Sequence, residues 1–512
     1  MVEEQSTKSA GARRASPWHV REYVWTFSTY FAEGFPYSLV RNVSTAFFTF
    51  KNASLEAIGL TSLLGLPWNL KFVWAPLVDH YATKRSWIVA VELLIVAAIA
   101  ALAAASPAGG GLAIATVMFV VLAVLAATHD IAIDGYYLEA LDKEGQARYV
   151  GYRVMAYRLA LVAGQGGVVF LAGAVGWGAA FAAAAAVFAM ALVYHAAFLP
   201  RVEKGGATFG AMFSGMVSAR NIALLAGVAA GVFAARWASG TGALAPIAAP
   251  FERVLGPMTA AKWIAIALLI LLLGGLAVLP RVKRSVSVSG SHFARSLSSL
   301  LDQPRTGVIV AFVLLFRAGE SMLLGMVTPF LKGIGVTLDQ IGFAYGTVGT
   351  AAGIAGAMAG GWLIARLGMR RVAWPFVLSQ NVLNFLYMFM AWHCRGIFFE
   401  GDAAARPASF ASANLSLVTA MVSIEAFGAG LGTAFFSVFI MRCCKPEFKA
   451  SHMAFLTAFM SVSATFAGVF SGIIASAAGF TVFFGITFLA TVPAMVLLPF
   501  LPHMDSVPRP RT

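Results

Sequence analysis

The stretch ATHDIAIDGYY, residues 127–137, places two carboxylates, Asp130 and Asp134, inside a long apolar run. Burying a carboxylate in hydrocarbon is costly, so an acid at membrane depth is a candidate for function. A spacing of four residues puts both side chains on one face of a helix, about 6 Å apart. The stretch therefore predicts a polar stripe inside a membrane, which is what a solute pathway requires.

The composition of the whole chain also indicates a membrane protein. Of its 512 residues, 60% are hydrophobic and only 11% are charged, whereas soluble domains are about 25% charged. In a soluble protein the net charge of +14 would suggest nucleic acid as a partner. Here the Lys and Arg residues gather on one side of the predicted spans, as membrane orientation requires. We therefore expect a lipid bilayer and no nucleic acid as partner.

About 14 segments are apolar over roughly the 20 residues that a membrane-spanning helix needs. They lie near residues 22–48, 56–78, 87–106, 112–138, 153–175, 177–199, 219–240, 260–280, 306–332, 338–367, 372–393, 414–441, 452–477 and 480–501. Basic residues occupy one set of the connections together with both termini. This distribution predicts an integral membrane protein whose termini are both cytoplasmic.

A weak internal repeat relates the two ends of the chain. Residues 142–176 align without a gap on residues 445–479, and both stretches run from a charged loop into a span rich in small residues. Two parallel six-helix halves are the plan of the major facilitator fold. We predict an all-α polytopic protein of this fold with two extra transmembrane helices in its central linker. Its expected parts are a cytoplasmic tail (1–21), a six-helix bundle (22–200), the linker with a basic cytoplasmic segment (201–305), a second six-helix bundle (306–502) and a cytoplasmic tail (503–512).

The end of the predicted linker carries Phe293, Leu297, Leu300 and Leu301 at helical spacing. One interpretation is an amphipathic helix on the inner membrane surface. The alternative is an unstructured tether.

Three charged residues lie at similar depth in different predicted spans of the first half. Counting along the spans places Glu33, Lys71 and Asp130 about 12–17 Å from the inner face. They form a candidate cluster for proton coupling or gating together with Asp134, although a buried ion pair that only fixes packing is the alternative. In the second half, Glu320 and Glu425 are candidates either for proton coupling or for structural hydrogen bonding.

Arginine side chains inside the spans suit the carboxylate or phosphate groups of an anionic solute. Arg41 and Arg158 are the first candidates for such a cavity, and Arg153 is interpreted as an interfacial residue. The remaining candidates for substrate binding are Asn69, Gln165 and Arg317.

A cytoplasmic latch between the halves is expected from three residues at the end of the second span and just after it, Asp79, Lys84 and Arg85.

Sequence signatures of enzymes are missing from the chain. It contains no Gly-x-x-x-x-Gly-Lys phosphate loop and no His-Glu-x-x-His zinc motif. His129 has no second metal ligand at the usual spacing. We therefore expect neither an enzyme nor a cofactor or bound metal.

Two motifs connect the chain to a known family. The segment LPWNLKFVWAPLVD, residues 66–79, resembles the second span of the AmpG-like muropeptide permeases, a pattern shared with the acetyl-CoA transporters of the endoplasmic reticulum. The segment HDIAIDG, residues 129–135, is similar to the Gln-Asp-Ile-Ala-x-Asp-Gly/Ala stretch of the same group. The clear resemblance covers residues 25–165. It implies a major facilitator transporter that works by alternating access and imports anhydro-muropeptides with the proton gradient.

The leading hypothesis is therefore a proton-coupled importer of an anionic amphiphilic small molecule in a bacterial inner membrane, active as a monomer. Acetyl-CoA or another organic anion is the alternative cargo. Two remote alternatives are an integral-membrane transferase that uses His129, Asp130 and Asp134, and a sensor that binds its ligand without transporting it.

Overall fold

The computed structural model describes residues 17–106, 111–202, 245–288, 292–398 and 413–504, and every element in these ranges is a helix. This confirms the predicted all-α fold class. Helices follow from the long apolar runs, because a backbone in lipid must satisfy its hydrogen bonds within its own segment. Eight helical segments of the described chain are long and apolar enough to cross a membrane.

The N-terminal half is built from helices α1 to α10. These are α1 (Pro17–Ser38), α2 (Ser44–Phe50), α3 (Leu55–Leu60), α4 (Leu66–Leu70), α5 (Ala75–His80), α6 (Lys84–Ala105), α7 (Gly111–Ala140), α8 (Lys143–Val162), α9 (Val169–Val175) and α10 (Trp177–Phe198).

The connecting region and the C-terminal half contain helices α11 to α21. These are α11 (Ala245–Leu255), α12 (Ala260–Val288), α13 (His292–Leu301), α14 (Thr306–Phe316), α15 (Ala318–Gly333), α16 (Leu338–Ile341), α17 (Thr350–Leu367), α18 (Met369–Val382), α19 (Asn384–His393), α20 (Leu415–Arg442) and α21 (Lys449–Leu497).

Several predicted spans are interrupted rather than straight. A π-helical turn at Leu39–Val43 separates α1 from α2. The second span is broken into α3, α4 and α5, with prolines at the starts of α4 and α5, where the missing proline N–H costs no helical hydrogen bond. Conversely, α21 covers the last two predicted spans, with a backbone break at Gly479, whose φ is 72°.

The structure describes part of the connecting region. The first extra span, 219–240, lies outside the described residues, whereas the second, 260–280, falls within α12. The amphipathic segment is helical, as α13. Leu300 and Leu301 are buried there, and the side chain of His452 on α21 contacts the Ser296 carbonyl at 3.0 Å. The face of α13 that carries these residues is thus covered by protein.

The two halves meet at one end of the helix bundle. We call the end where α1 begins the proximal end and the opposite end the distal end. At the distal end, Lys332 on α15 donates a 2.9 Å hydrogen bond to the Thr49 carbonyl on α2. One continuous buried core joins the N-terminal half to the distal part of the C-terminal half. A separate core, which includes Phe312 and Phe435, fills the proximal part of the C-terminal half.

Candidate functional site

A cavity of about 520 Å3 lies between the two halves, and we call it the central cavity. The N-terminal half contributes wall residues from α1 to α4 and the turn before α9. The C-terminal half contributes Arg317 and residues from α15, α16, the turn after α16 and α21. Its size falls in the range of about 300–1,000 Å3 that is typical of small-molecule sites. No carboxylate side chain is found among the described residues that line it.

Arg41 brings a positive charge to this cavity. The π-helical turn Leu39–Val43 carries it, and its Nη1 donates a 2.8 Å hydrogen bond to the Ser62 carbonyl. A Cβ atom at Gly65 would lie 2.6 Å from the same Nη1, so the guanidinium occupies space that a side chain there would take. Within the described chain, Arg41 has no carboxylate partner. Its charge is therefore available to an anionic ligand.

Arg317 reaches the cavity from the opposite half, but its charge is partly compensated. Its Nη2 donates to Glu320 Oε1 at 2.8 Å, and its Nη1 donates to Thr433 Oγ1 at 3.4 Å. Gln380 donates to the other oxygen of Glu320 at 3.0 Å. This arrangement fixes the guanidinium at the cavity wall. Arg317 and Glu320 lie three residues apart, a spacing at which side chains on a helix meet.

The structure brings together most of the residues that the sequence nominated for substrate binding. Arg41, Asn69, Gln165 and Arg317 all line the central cavity. Arg158 does not line it, and its side chain is exposed on α8. Sequence reasoning did not nominate the aromatic residues of the wall, Tyr37, Trp68 and Tyr345, because apolar spans contain many aromatic residues that only pack.

A second group of charges lies beside the cavity, within the N-terminal half. We call Glu33, Lys71, Asp130, Asp134 and Arg153 the N-terminal charge cluster. Lys71 pairs with Asp130, and Arg153 Nη2 lies 3.0 Å from Asp134 Oδ1. The expectation that Arg153 only reaches an interface is therefore wrong, because α8 packs against α1 and turns this side chain towards α7.

The environment of the cluster is partly buried and partly open. Glu33 is 8% exposed, and its Oε2 is buried without a hydrogen-bond partner. The side chains of Lys71 and Asp134 are 35% and 37% exposed. Tyr30 donates a 2.9 Å hydrogen bond to Asp134 Oδ1, and the Arg153 guanidinium lies over the Tyr30 ring at 4.4 Å. One side of the cluster is therefore open rather than enclosed by protein.

Residues of the N-terminal charge cluster lie within one helical turn of residues that line the central cavity. Glu33 lies one turn before Tyr37 on the same face of α1, and Tyr37 lines the cavity. Lys71 follows the cavity residue Asn69 by two positions. The rings of Tyr37 and Trp68 are 5.1 Å apart, so these two segments pack directly against each other.

The acids of the C-terminal half are more deeply buried. Glu320 is 5% exposed and Glu425 is 2% exposed. Under the alignment of the two halves, Thr433 takes the position of Asp130, and the structure shows it bonded to Arg317. The two halves thus place different chemistry at equivalent positions.

The three residues of the expected latch make contacts inside the N-terminal half. Lys84 Nζ lies 2.9 Å from Asp79 Oδ1 and 3.8 Å from Glu139 Oε1. Arg85 Nε donates to the Leu199 carbonyl at the end of α10, at 2.9 Å. These contacts do not join the two halves, so a latch between them stays a prediction for another conformation.

Comparisons with known proteins agree with this architecture. No family model matches the chain. It is 24% identical over 478 residues to the anhydromuropeptide permease of Escherichia coli (strain K12), which covers 91% of this chain and 77% of the permease. The peptide transporter POT in complex with sulfate superposes with a TM-score of 0.63 at 14% identity, over 94% of this chain and 95% of that one.

A D-xylose-proton symporter superposes with a TM-score of 0.58 at 11% identity, over 95% of this chain and 99% of that one. At such identities the structural likeness shows the fold alone, which is the major facilitator fold predicted from the repeat. The relatives found by sequence include the anhydromuropeptide permease and the putative transporter AmpG 2 of Rickettsia bellii, which are named as transporters rather than enzymes.

Proposed function

From the premise that this chain is an integral membrane transporter related to the AmpG-like permeases, we propose that it is a proton-coupled importer of an anionic amphiphilic solute. An anhydromuropeptide is the first candidate for the cargo. The observation that carries the proposal is the Arg41 guanidinium, which faces a cavity between the halves and has no carboxylate partner among the described residues. The supporting observation is a charge cluster beside that cavity that can take up a proton.

The cavity favours an anion because its charges are unbalanced. In the part of the chain that the structure describes, the hydrogen-bond partner of Arg41 is a backbone carbonyl, and Arg317 shares its charge with Glu320. A guanidinium presents several N–H donors in a fork that matches a carboxylate. A hydrogen bond to a charged group contributes about 1.5–3 kcal/mol, so Arg41 alone would account for about 10- to 150-fold in affinity.

The cavity also suits a ligand that is not uniformly polar. Tyr37, Trp68 and Tyr345 add aromatic surface to a wall that carries Asn69 and Gln165. Aromatic rings bury apolar area, and Tyr and Trp also offer a polar edge. A sugar attached to a short peptide with a free carboxylate has matching features. A coenzyme A thioester, in which phosphates would face the arginines, is the competing cargo.

The count of charges in the N-terminal charge cluster supports the proposed proton coupling. Glu33, Asp130 and Asp134 contribute three negative charges when ionised, and Lys71 and Arg153 contribute two positive charges. The sum is −1, and the uptake of one proton makes the cluster neutral. A net charge at membrane depth is costly, so neutralisation by a proton favours reorganisation of the neighbouring helices.

The contacts between the halves indicate which end of the molecule is closed. In this conformation the halves pack at the distal end through α2, α3, α9, α15, α16 and α21. With both termini in the cytoplasm of a bacterial cell, the proximal end faces the cytoplasm and the structure corresponds to a state that releases its cargo inwards. The monomer contains the whole cavity and is proposed as the working unit.

The proposal is tested by binding to the purified protein in lipid nanodiscs. We expect labelled anhydromuropeptide to bind and the Arg41→Gln variant to bind about 10- to 150-fold more weakly. Arg148→Gln is the matched control, because Arg148 is exposed, pairs with Glu144 one turn away on α8 and does not line the central cavity.

Unlabelled acetyl-CoA is added as competitor to separate the two cargo classes. Displacement of the label only by muropeptides supports the proposed cargo. Tight binding of acetyl-CoA with no muropeptide binding contradicts it, and equal binding to the wild type and Arg41→Gln contradicts the role of Arg41.

A further inference from the structure

Four polar side chains meet in the interior of the N-terminal half, away from the central cavity. Glu92 on α6 lies between His129 on α7 and His195 on α10. Its Oε1 is 3.2 Å from His129 Nε2 and 2.6 Å from His195 Nδ1. Glu92, His129 and His195 have no exposed surface. His195 Nε2 lies 2.9 Å from the Ser28 hydroxyl on α1.

This group is separate from the N-terminal charge cluster. His129 directly precedes Asp130, and consecutive side chains on a helix point about 100° apart. Asp130 therefore turns to Lys71, whereas His129 turns to α6 and α10. None of Glu92, His129 and His195 lines the central cavity. The motif that suggested function in the sequence thus contributes to two different polar groups.

The hydrogen-bond partners fix where protons can sit. Ser28 has one hydroxyl hydrogen, and its Oγ lies 3.1 Å from the Trp25 carbonyl, which can only accept. When Ser28 donates to this carbonyl, its oxygen lone pairs face His195 Nε2, so Nε2 must carry a hydrogen. The other nitrogen, Nδ1, faces a carboxylate oxygen and also donates. In this arrangement both ring nitrogens carry hydrogens and His195 is an imidazolium ion, whereas a Ser28 hydroxyl turned to Nε2 would go with a neutral ring.

His129 takes the opposite state. Its Nε2 faces Glu92 Oε1 and donates, whereas its Nδ1 is buried without a partner. A hydrogen on Nδ1 would be left unsatisfied, so this histidine is neutral. The group then contains one carboxylate, one imidazolium and one neutral imidazole. Its net charge is zero, as a fully enclosed polar group requires.

We propose that Glu92 and His195 form a buried proton-binding site in which His195 holds the proton as an imidazolium ion paired with the Glu92 carboxylate. The ligand of the site is a proton, and the site is distinct from the one proposed for transport. The titratable groups that face it are Glu92 from α6 and His129 from α7. Ser28 from α1 is uncharged, and Tyr194 is the ring neighbour on α10 itself.

A histidine of the C-terminal half, His452, serves as an internal control for His195 because it is buried to the same extent. His452 is also fully buried. Its Nδ1 accepts a hydrogen bond from the Lys445 backbone N–H at 3.3 Å, and its Nε2 donates to the Ser296 carbonyl at 3.0 Å. One accepting and one donating nitrogen define a neutral imidazole. The two buried histidines are thus expected to differ in charge at the same pH.

The test is nitrogen NMR of the full-length protein in nanodiscs with 15N-labelled histidine rings, recorded from pH 6 to pH 8. The Tyr194–His195 pair is the only Tyr-His sequence in the chain. Labelling the tyrosine carbonyl therefore assigns His195 in the wild-type protein, without a mutation that risks the fold. His452 is assigned by the loss of its signals in His452→Gln.

We expect both ring nitrogens of His195 to give the signals of protonated nitrogens at pH 7, and His452 to give those of one protonated and one bare nitrogen. In Glu92→Gln, which keeps the size of the side chain, His195 should change to the neutral form. A neutral His195 in the wild type at pH 7 would overturn the proposal. A charged His195 that is unaffected by Glu92→Gln would overturn the pairing.

Discussion

At the scale of single residues, the N-terminal charge cluster contains one more carboxylate than cations. The charge of Lys71 balances that of Asp130, and the charge of Arg153 balances that of Asp134. Glu33 adds the surplus acid, and its Oε2 is buried without a hydrogen-bond partner. A cluster with only a packing role would be expected to satisfy each buried polar atom.

This surplus gives a prediction for Asp130→Asn. The substitution removes one negative charge, so two carboxylates face two cations and the cluster is neutral without a proton. We expect accumulation driven by a proton gradient to be lost, while exchange of labelled for unlabelled solute across the membrane continues. Transport assays in proteoliposomes measure both activities.

Glu144→Gln serves as the control for this prediction, because Glu144 is exposed and pairs only with Arg148. Gradient-driven accumulation by Asp130→Asn at the wild-type level would contradict the assignment. Loss of exchange as well would indicate that Asp130 binds solute or supports the fold rather than the proton.

Sequence reasoning located most of the charged residues but not their partners. Arg41 and Arg158 looked equivalent in the sequence, and only the packing of the helices showed that Arg41 faces the cavity and Arg158 does not. Glu92 and His195 were missed altogether. A glutamate within the apolar run of α6 was a usable signal for Glu92, whereas its partners lie 37 and 103 residues away.

At the scale of helices, glycines allow the halves to pack closely at the distal end. Gly472 on α21 faces α3, and a Cβ atom there would lie 2.1 Å from the Leu55 carbonyl oxygen. Gly59 on α3 faces α21 in turn, with backbone atoms of α21 3.1 Å from its Cβ position. Because backbone atoms form these contacts, a side chain there can be accommodated only by moving the helices apart.

We therefore predict that Gly472→Ala disfavours the conformation described here. Overpacking costs about 1–3 kcal/mol, enough to change a two-state ratio by about 5- to 150-fold. The distance between spin labels on the distal ends of the two halves should show a larger open fraction. Unchanged label distances would contradict this view of the contact.

Gly361→Ala is the matched control, because a Cβ atom at Gly361 on α17 meets nothing within 4 Å. It should leave the distances as they are in the wild type. If both variants changed them equally, a general effect of alanine on these helices would explain the result better than the contact at Leu55.

Hydrophobic periodicity and length predicted most helices but could not show where they break. The apolar runs gave the continuous spans, and eight such segments are present in the described chain. The interruptions in the second span and at Leu39–Val43 place Asn69, Lys71 and Arg41 at the cavity and the charge cluster. Those breaks depend on packing between helices, which no local pattern records.

At the scale of the whole molecule, the two halves share a fold but differ in chemistry. The first half carries the partly exposed charge cluster, whereas the second holds Glu320 and Glu425 in a more enclosed setting. The internal repeat was sufficient to predict the major facilitator fold. It could not predict the conformation, because the choice of which end closes depends on contacts between residues hundreds of positions apart.

Uptake of labelled anhydromuropeptide into proteoliposomes, with and without an imposed inward proton gradient, tests the central claim most directly. The account predicts accumulation above the external concentration only when the gradient is present, and its loss when a protonophore removes the gradient. Uptake that is unaffected by the gradient, or no uptake by a folded and correctly oriented protein, would contradict proton-coupled import of this solute.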